Sequence, residues 1–238
     1  LDAIRNEIDR LELGEDEKNV ALTSLIMGLE RVDSTLGHYV SYLNEWSPRS
    51  YKPLRLEVPR IIQSEKTHEV HNADTVELTG SIDADLAYFD PPYGSNNEKM
   101  PPSRVRYESY YHIWKSVILN DRPPLFGAAR RREDSSDSVG VSEFEEFRKG
   151  SSGRFIVVEA MERLIQNTKA PYIVLSYSSG GRATAEELIN ILSANGDVID
   201  LVKISHKKNV MAHMKWTNDW LRDAETEHLE YLFLLRKG

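Results

Sequence analysis

Cysteine is absent from all 238 residues. Its absence excludes disulfides, thiolate metal sites and a cysteine nucleophile, and it fits a cytoplasmic setting. Long apolar runs are also absent. No stretch reaches the roughly 18 consecutive apolar residues of a membrane span, and the first residues form a charged amphipathic pattern unlike a secretory signal. Cations are in the minority, with 30 Lys and Arg against 38 Asp and Glu and a net charge of −8. That balance argues against a protein that coats nucleic acid through bulk charge, but allows contact through one local patch. At 40% apolar and 29% charged residues, the chain can bury a substantial core, and one domain with an excursion is the simplest organisation.

The most informative stretch is Ala87-Tyr88-Phe89-Asp90-Pro91-Pro92-Tyr93. An apolar strand ends there in two prolines, which can neither continue a ladder nor sit inside an ordinary helix. The stiff turn offers a carboxylate, backbone carbonyls and an aromatic ring. A planar base with an exocyclic amine needs acceptors for its two N–H groups and a face for stacking. A bland reading also exists, an edge strand closed by a proline-rich turn. At residue frequencies of about 5% each, chance yields this tetrapeptide in roughly one chain in a thousand of this length, so it outweighs any single-residue feature.

Apolar spacing predicts helices over Leu1–Leu11 and Glu15–Val32, the first ended by Gly14. Asp33–Pro53 reads as a partly helical connector. A strand over His68–Asp74 is expected next, then Ala84–Phe89 leading into the proline turn. Gly94–Arg104 is a polar loop, and Tyr107–Leu119 an aromatic-rich helix. Asp121–Gly153 reads as a flexible excursion holding one short acidic helix near 141–148. Helices over Phe155–Asn167 and Thr184–Ala194 alternate with strands over Tyr172–Tyr177 and Val198–Ile204, and Tyr231–Leu235 is the last strand. Alternating strands and helices imply an α/β fold with a mostly parallel sheet and an antiparallel last pair. In such sheets ligands sit beyond the carboxyl ends of the strands. The pattern sets Asp74, Asp90 and Ser178 at that edge, together with the start of the basic loop after Ile204.

Two basic stretches could face nucleic acid: Arg130-Arg131-Arg132, and the run containing Lys203, Lys207, Lys208 and Lys215. Each alone could equally be a solvated face; the layout favours the second, with Arg104 and Arg106 nearer the proline turn. No cluster of metal-ligating residues stands out.

The chemistry suited to the turn is specific. The amino nitrogen of adenine is a poor nucleophile because its lone pair is delocalised into the ring. Asp90 and the Pro91 carbonyl can each accept one of its protons, holding the nitrogen while an electrophilic methyl approaches, and Tyr93 can stack on the base. A duplex would first have to extrude that base, at a cost of a few kcal/mol. Positioning, rather than a covalent intermediate, would supply the acceleration.

Tyr88-Phe89-Asp90-Pro91-Pro92-Tyr93, with His71-Asn72-Ala73-Asp74 before it and Tyr110-Tyr111-His112 after it, resembles the adenine-specific DNA methylases. Ala170–Tyr177 and Glu230–Leu235 resemble that family's later strands, so the likeness runs from about Asp16 onward. It implies a Rossmann-like methyltransferase sheet and transfer of methyl from S-adenosylmethionine to adenine N6 in double-stranded DNA, with the base flipped out. By that resemblance Asp90, Pro91, Pro92 and Tyr93 form the catalytic element, and Asn72, Asp74, Phe89 and Asp90 border the cofactor. For Asp74 the plain alternative is a turn cap, and for Tyr110-Tyr111-His112 it is core packing. The same resemblance implies a prokaryotic or phage cytoplasm and restriction–modification. Residues 1–67 become a helical connector region with a candidate DNA-recognition role, and 68–238 the catalytic region, with the excursion at 121–153.

One departure stands out. The family's Phe-x-Gly-x-Gly turn has no match before Asp74, where Gly14, Gly28 and Gly37 stand singly. The expectation is a sheet incomplete in its N-terminal half, with the glycine turn supplied by a missing N-terminal segment or a second chain. Two other readings stay open: a DNA-binding or specificity subunit without catalysis, and an amino-methyltransferase acting on cytosine N4, RNA or a protein amide.

Overall fold

A computed structural model describes residues 1–35, 37–40, 43–94, 106–136, 142–206 and 228–238. In chain order its elements are α1 (Asp2–Arg10), α2 (Glu15–Glu30), α3 (Thr75–Thr79), β1 (Leu86–Phe89), α4 (Tyr107–Tyr110), α5 (His112–Leu119), β2 (Leu125–Phe126), β3 (Arg131–Arg132), α6 (Ile156–Asn167), β4 (Tyr172–Ser178), α7 (Ala185–Ser193), β5 (Gly196–His206) and β6 (His228–Lys237). Contacts divide the chain into two units, 1–69 with 107–140 and 70–106 with 141–238.

In the first unit the apolar faces of α1 and α2 meet α5 around Ile8, Leu22, Leu25 and Val117. Arg5 explains why 107–140 joins the N-terminal helices instead of the later segments. Only 4% exposed, it donates from Nε to the Val117 carbonyl at 2.5 Å and from Nη2 to the Ile118 carbonyl at 3.0 Å. Those are among the last carbonyls of α5, which have no partner within the helix. Asn120 then ends α5 in the left-handed region at φ 49°, a conformation asparagine tolerates better than most residues. The expected helix over 107–119 breaks at Tyr111, giving α4 and α5.

The second unit holds a four-stranded sheet in the order β1-β4-β6-β5. β1 pairs parallel with β4, from Leu86 opposite Tyr172 to Phe89 opposite Leu175. β4 and β5 both pair antiparallel with β6. The fold is mixed α/β, as expected, and the last two strands are antiparallel neighbours. Parallel pairing is confined to β1 and β4 among the described residues, a smaller share than the alternating pattern suggested. Behind the sheet α6 buries Val157, Val158, Met161, Leu164 and Ile165 against Ile173, Leu175, Phe233 and Leu235. Each such side chain withdrawn from water favours the fold by about 1.5–3 kcal/mol. The capping box Thr184–Glu187 starts α7, which adds Leu188, Ile191 and Leu192 to the same core.

Two expectations are corrected. Residues 68–74 form no strand; Val70 is 98% exposed, and the segment ends by capping α3. The excursion is structured over its described residues, with the β2–β3 hairpin and 3-10 turns at Glu133–Ser135 and Glu143–Glu145.

Candidate active site

Phe89 is the last residue of β1 and packs into the core at 9% exposure, so the chain leaves the sheet from an anchored point. Neither Pro91 nor Pro92 has an N–H for the ladder, and the strand stops. Asp90 therefore lies at the carboxyl tip of β1, exposed to solvent and bordering a cavity of about 460 Å³. Asp74, Val76, Phe89, Pro91, Pro92 and Phe144 border the same cavity.

Asp74 is the N-cap of α3. Its Oδ1 accepts from the Val76 N–H at 2.8 Å and the Glu77 N–H at 3.3 Å. Both bonds fall on one oxygen, which leaves Oδ2 for a donor in the cavity. The turn-cap alternative named above is thus real, and the capped carboxylate borders the same cavity as Asp90. Asn72, assigned to the same cofactor edge, is exposed and is not among the lining residues.

Tyr93 is half-buried. Its ring meets the Tyr177 ring edge-on, with centroids 5.5 Å apart. Tyr177, at the end of β4, is fully buried, and its hydroxyl oxygen accepts from the Ala183 N–H at 3.2 Å. Burial pushes its phenol up to about 12. Gly181 lies against that ring, where a Cβ would come within 2.4 Å of Cε1. Gly94 is tight to a lesser degree: a Cβ would lie 3.2 Å from the Glu145 carbonyl oxygen.

Ser142, Glu143 and Phe144 close another side of the cavity. Sequence reading placed them in the excursion and missed them. The usable signal was Ser142, whose hydroxyl caps the turn by accepting from the Phe144 N–H at 3.3 Å. Tyr177 and Gly181 were missed as well; a glycine pair after a strand reads as an ordinary turn.

The expected DNA-facing cations are placed unevenly. Arg106 is corrected: it is 5% exposed and donates from Nη1 to the Glu145 carbonyl at 3.1 Å, so it braces the loop behind Gly94. Lys203 is exposed on β5. Arg104, Lys207, Lys208 and Lys215 lie outside the described residues. Tyr110, Tyr111 and His112 belong to the first unit and pack internally. His112 is 2% exposed with Nε2 3.0 Å from the Tyr39 carbonyl, Tyr110 stacks on His38 at 4.4 Å, and Tyr111 stacks on Trp114 at 4.3 Å. Burial holds both imidazoles below the ordinary histidine value. Among the described residues no group of three His, Asp or Glu could hold a metal, and no helix is long and apolar enough to cross a membrane.

Asp90, at a proline-stiffened strand tip, and Asp74 thus border one cavity with Tyr88, Phe89 and Phe144, whereas Tyr93 is not among its lining residues. The sequence model of the D12 class N6 adenine-specific DNA methyltransferases matches residues 1–162, well over half the chain, and the chain belongs to that family. Among curated proteins it is similar to the modification methylase StsI of Streptococcus sanguinis, at 31% identity over 215 residues, covering 87% of this chain and 30% of that protein. The type II methyltransferase M.FokI of Planomicrobium okeanokoites is 25% identical over 241 residues, covering 100% of this chain and 33% of that protein. M.NlaIII of Neisseria lactamica is 27% identical over 212 residues, 87% of this chain and 57% of that protein. The chain thus spans about a third of the first two relatives and somewhat over half of the third. No solved structure matches it.

Proposed function

We propose that this chain transfers a methyl group from S-adenosylmethionine to the exocyclic N6 of an adenine flipped out of double-stranded DNA. One observation carries the reading: Asp90 is exposed at the tip of β1, on a cavity it shares with Asp74. The Asp90 carboxylate accepts one amino proton of the base, and the Pro91 carbonyl accepts the other. Among the described residues neither acceptor takes a hydrogen bond from the protein. The proline pair keeps both acceptors in place before the base arrives, so little reorganisation is needed at the moment of reaction. Tyr93, supported by Tyr177, offers the stacking face, a contact worth about 1–3 kcal/mol.

The cavity volume falls within the range of small-ligand sites. Its lining fits the cofactor: Asp74 Oδ2 can accept from a hydroxyl or amine, and Phe89 and Phe144 supply apolar walls. Bound there, S-adenosylmethionine supplies an electrophilic methyl on a sulfonium. The resemblance adds the glycine-rich turn, which we assign to residues outside this sequence, in a longer chain or a second one. A restriction–modification role in a prokaryotic or phage-infected cytoplasm follows from the same family.

The test is a methylation assay with radiolabelled cofactor on mixed-sequence DNA, followed by nucleoside analysis. N6-methyladenine is the expected product. Asp90→Ala should abolish it while leaving the melting temperature and DNA affinity within error. Label in N4-methylcytosine, or full activity in Asp90→Ala, would refute the assignment.

A further inference from the structure

Four arginines are buried among the described residues, and three of them find oxygen inside the protein. Arg5 donates to the last carbonyls of α5, and Arg106 to the Glu145 carbonyl. Arg132 is an anchor, its guanidinium forked onto both Asp121 oxygens at 2.5 and 2.8 Å and both Asp134 oxygens at 3.0 Å each. Arg182 is the exception. It is 9% exposed, its Nε is buried without a hydrogen-bond partner, and among the described residues it makes no ion pair.

What Arg182 touches is an aromatic ring. Its Cζ lies 5.0 Å from the ring centroid of Phe155, and Nζ of the exposed Lys149 lies 5.1 Å from the same centroid. Lys149 also makes no ion pair among the described residues. Nearby, Arg148 pairs with Glu146 at 2.7 Å and Arg154 with Glu162 at 2.6 Å. A ring face attracts a cation, but it offers no lone pair to the N–H donors of a guanidinium. An unpaired charge withdrawn from water is costly. Two cations on one ring, in a chain of net charge −8, make a site that suits an oxyanion.

The backbone holds both cations in place. Lys149 and Phe155 form an antiparallel bridge. Gly150 N–H donates to the Arg154 carbonyl at 2.8 Å, and Ile156 N–H to the Arg148 carbonyl at 3.0 Å. Arg182 lies between Gly181, which abuts the Tyr177 ring, and Ala183, whose N–H donates to the Tyr177 hydroxyl. Tyr177 in turn meets Tyr93. Because β4 runs parallel to β1, residues 179–183 leave the sheet at the same edge as Asp90. A nucleotide turned out of a duplex stays tied to its backbone, so its flanking phosphates come close to the site that receives the base.

We propose that Arg182, assisted by Lys149, grips a backbone phosphate of the DNA strand that carries the flipped adenine. The guanidinium fork matches phosphate oxygens, and the lysine adds a point charge. This role rests on the proposed DNA substrate. The test is anisotropy titration of mixed-sequence duplex DNA at several salt concentrations, beside melting curves with and without inorganic phosphate. Arg182→Met keeps an unbranched stem on Phe155 without the charge, so its melting temperature should equal or exceed that of wild type. Its binding should weaken, with a salt slope shallower by about 0.9. Arg182→Lys should keep the slope. Adding Lys149→Gln to Arg182→Met should lower the slope no further, because both changes release the same phosphate.

Methylphosphonate duplexes then locate the contact. One phosphate at a time is made neutral around an adenine that the wild type methylates. Wild-type binding should fall at one position to which Arg182→Met is indifferent, and a wild type indifferent at every position would overturn the proposal. So would equal salt slopes in wild type and Arg182→Met. A methionine variant that melts well below wild type would make the ring contact structural and overturn it too. Inorganic phosphate that raises the melting temperature of wild type but not of Arg182→Met, with equal DNA slopes, would assign the site to free phosphate instead. The slopes are read without chemistry, so a wild type that shows them yet transfers no methyl would count against the reaction alone.

Discussion

Replacing Gly181 by alanine tests how closely the wall behind Tyr93 is packed. The new methyl carbon would lie 2.4, 2.7 and 2.9 Å from Cε1, Cζ and Oη of Tyr177, where carbon atoms normally rest at about 3.5–4.0 Å. The ring has no easy escape. It is fully buried, and its hydroxyl oxygen is held by the Ala183 N–H. Overpacking of this kind costs about 1–3 kcal/mol. For a chain of this size that corresponds to a melting temperature lower by about 2–12 °C. A displaced Tyr177 also withdraws the edge contact from Tyr93, worth about 0.5–1.5 kcal/mol. Methyl transfer should therefore fall by more than the unfolded fraction explains. The assay is thermal and urea denaturation of Gly181→Ala, of Tyr177→Leu and of the double variant, with methylation measured on each. Leucine vacates part of the ring's space, so the double variant should be less destabilised than the two singles added together. An alanine variant as stable as wild type, or strict additivity in the double, would refute the packing argument.

Two other perturbations follow from the same geometry. Tyr177→Phe keeps the ring under Tyr93 and removes only the acceptor of the Ala183 N–H, so stability should drop by about 1–3 kcal/mol while kcat per folded molecule holds; a large loss of kcat would give the hydroxyl a role beyond packing. The Arg132 guanidinium lowers Asp134 from its ordinary 3.8 to about 2, and it lowers Asp121 as well. A carboxylate depressed in this way adds stability above its unfolded value and loses it as pH falls through its folded value. Urea midpoints of wild type should thus decline more steeply than those of Arg132→Ala between about pH 4 and pH 2, and parallel profiles would show that the anchor contributes nothing.

Much of the frame was legible because it rests on short-range patterns. The helical spacing of Ile4 and Ile8 and of Val157, Met161, Leu164 and Ile165 reads directly as buried faces, and Phe89-Asp90-Pro91-Pro92 announces its own break in the ladder. The rest depends on contacts remote in sequence. Residues 68–74 carry the look of a strand, yet Val70 finds nothing to pack on and Asp74 bonds forward to α3. Residues 121–136 have no hydrophobic period; Arg132 and its two aspartates order them, and a charge cluster reads equally well as a solvated loop. β5 runs from 196 instead of 198, and a bulge between Val198 and Asp200 disturbs its alternation. In the site, Asp90 was visible from the tetrapeptide alone. The support that Gly181 and Tyr177 give to Tyr93 joins residues 84 or more positions apart by no motif.

β1 pairs with β4 along one side. Among the described residues nothing pairs with its outer edge, and Leu86 and Tyr88 are 51% and 58% exposed. Successive amides of a strand alternate in direction, so those facing β4 are protected and those facing outward are open to solvent. Deuterium uptake over these four residues should split into a slow and a fast class. A strand paired alongside would protect the fast class, so deuterium uptake at this edge reports whether anything pairs with β1, one residue from Asp90.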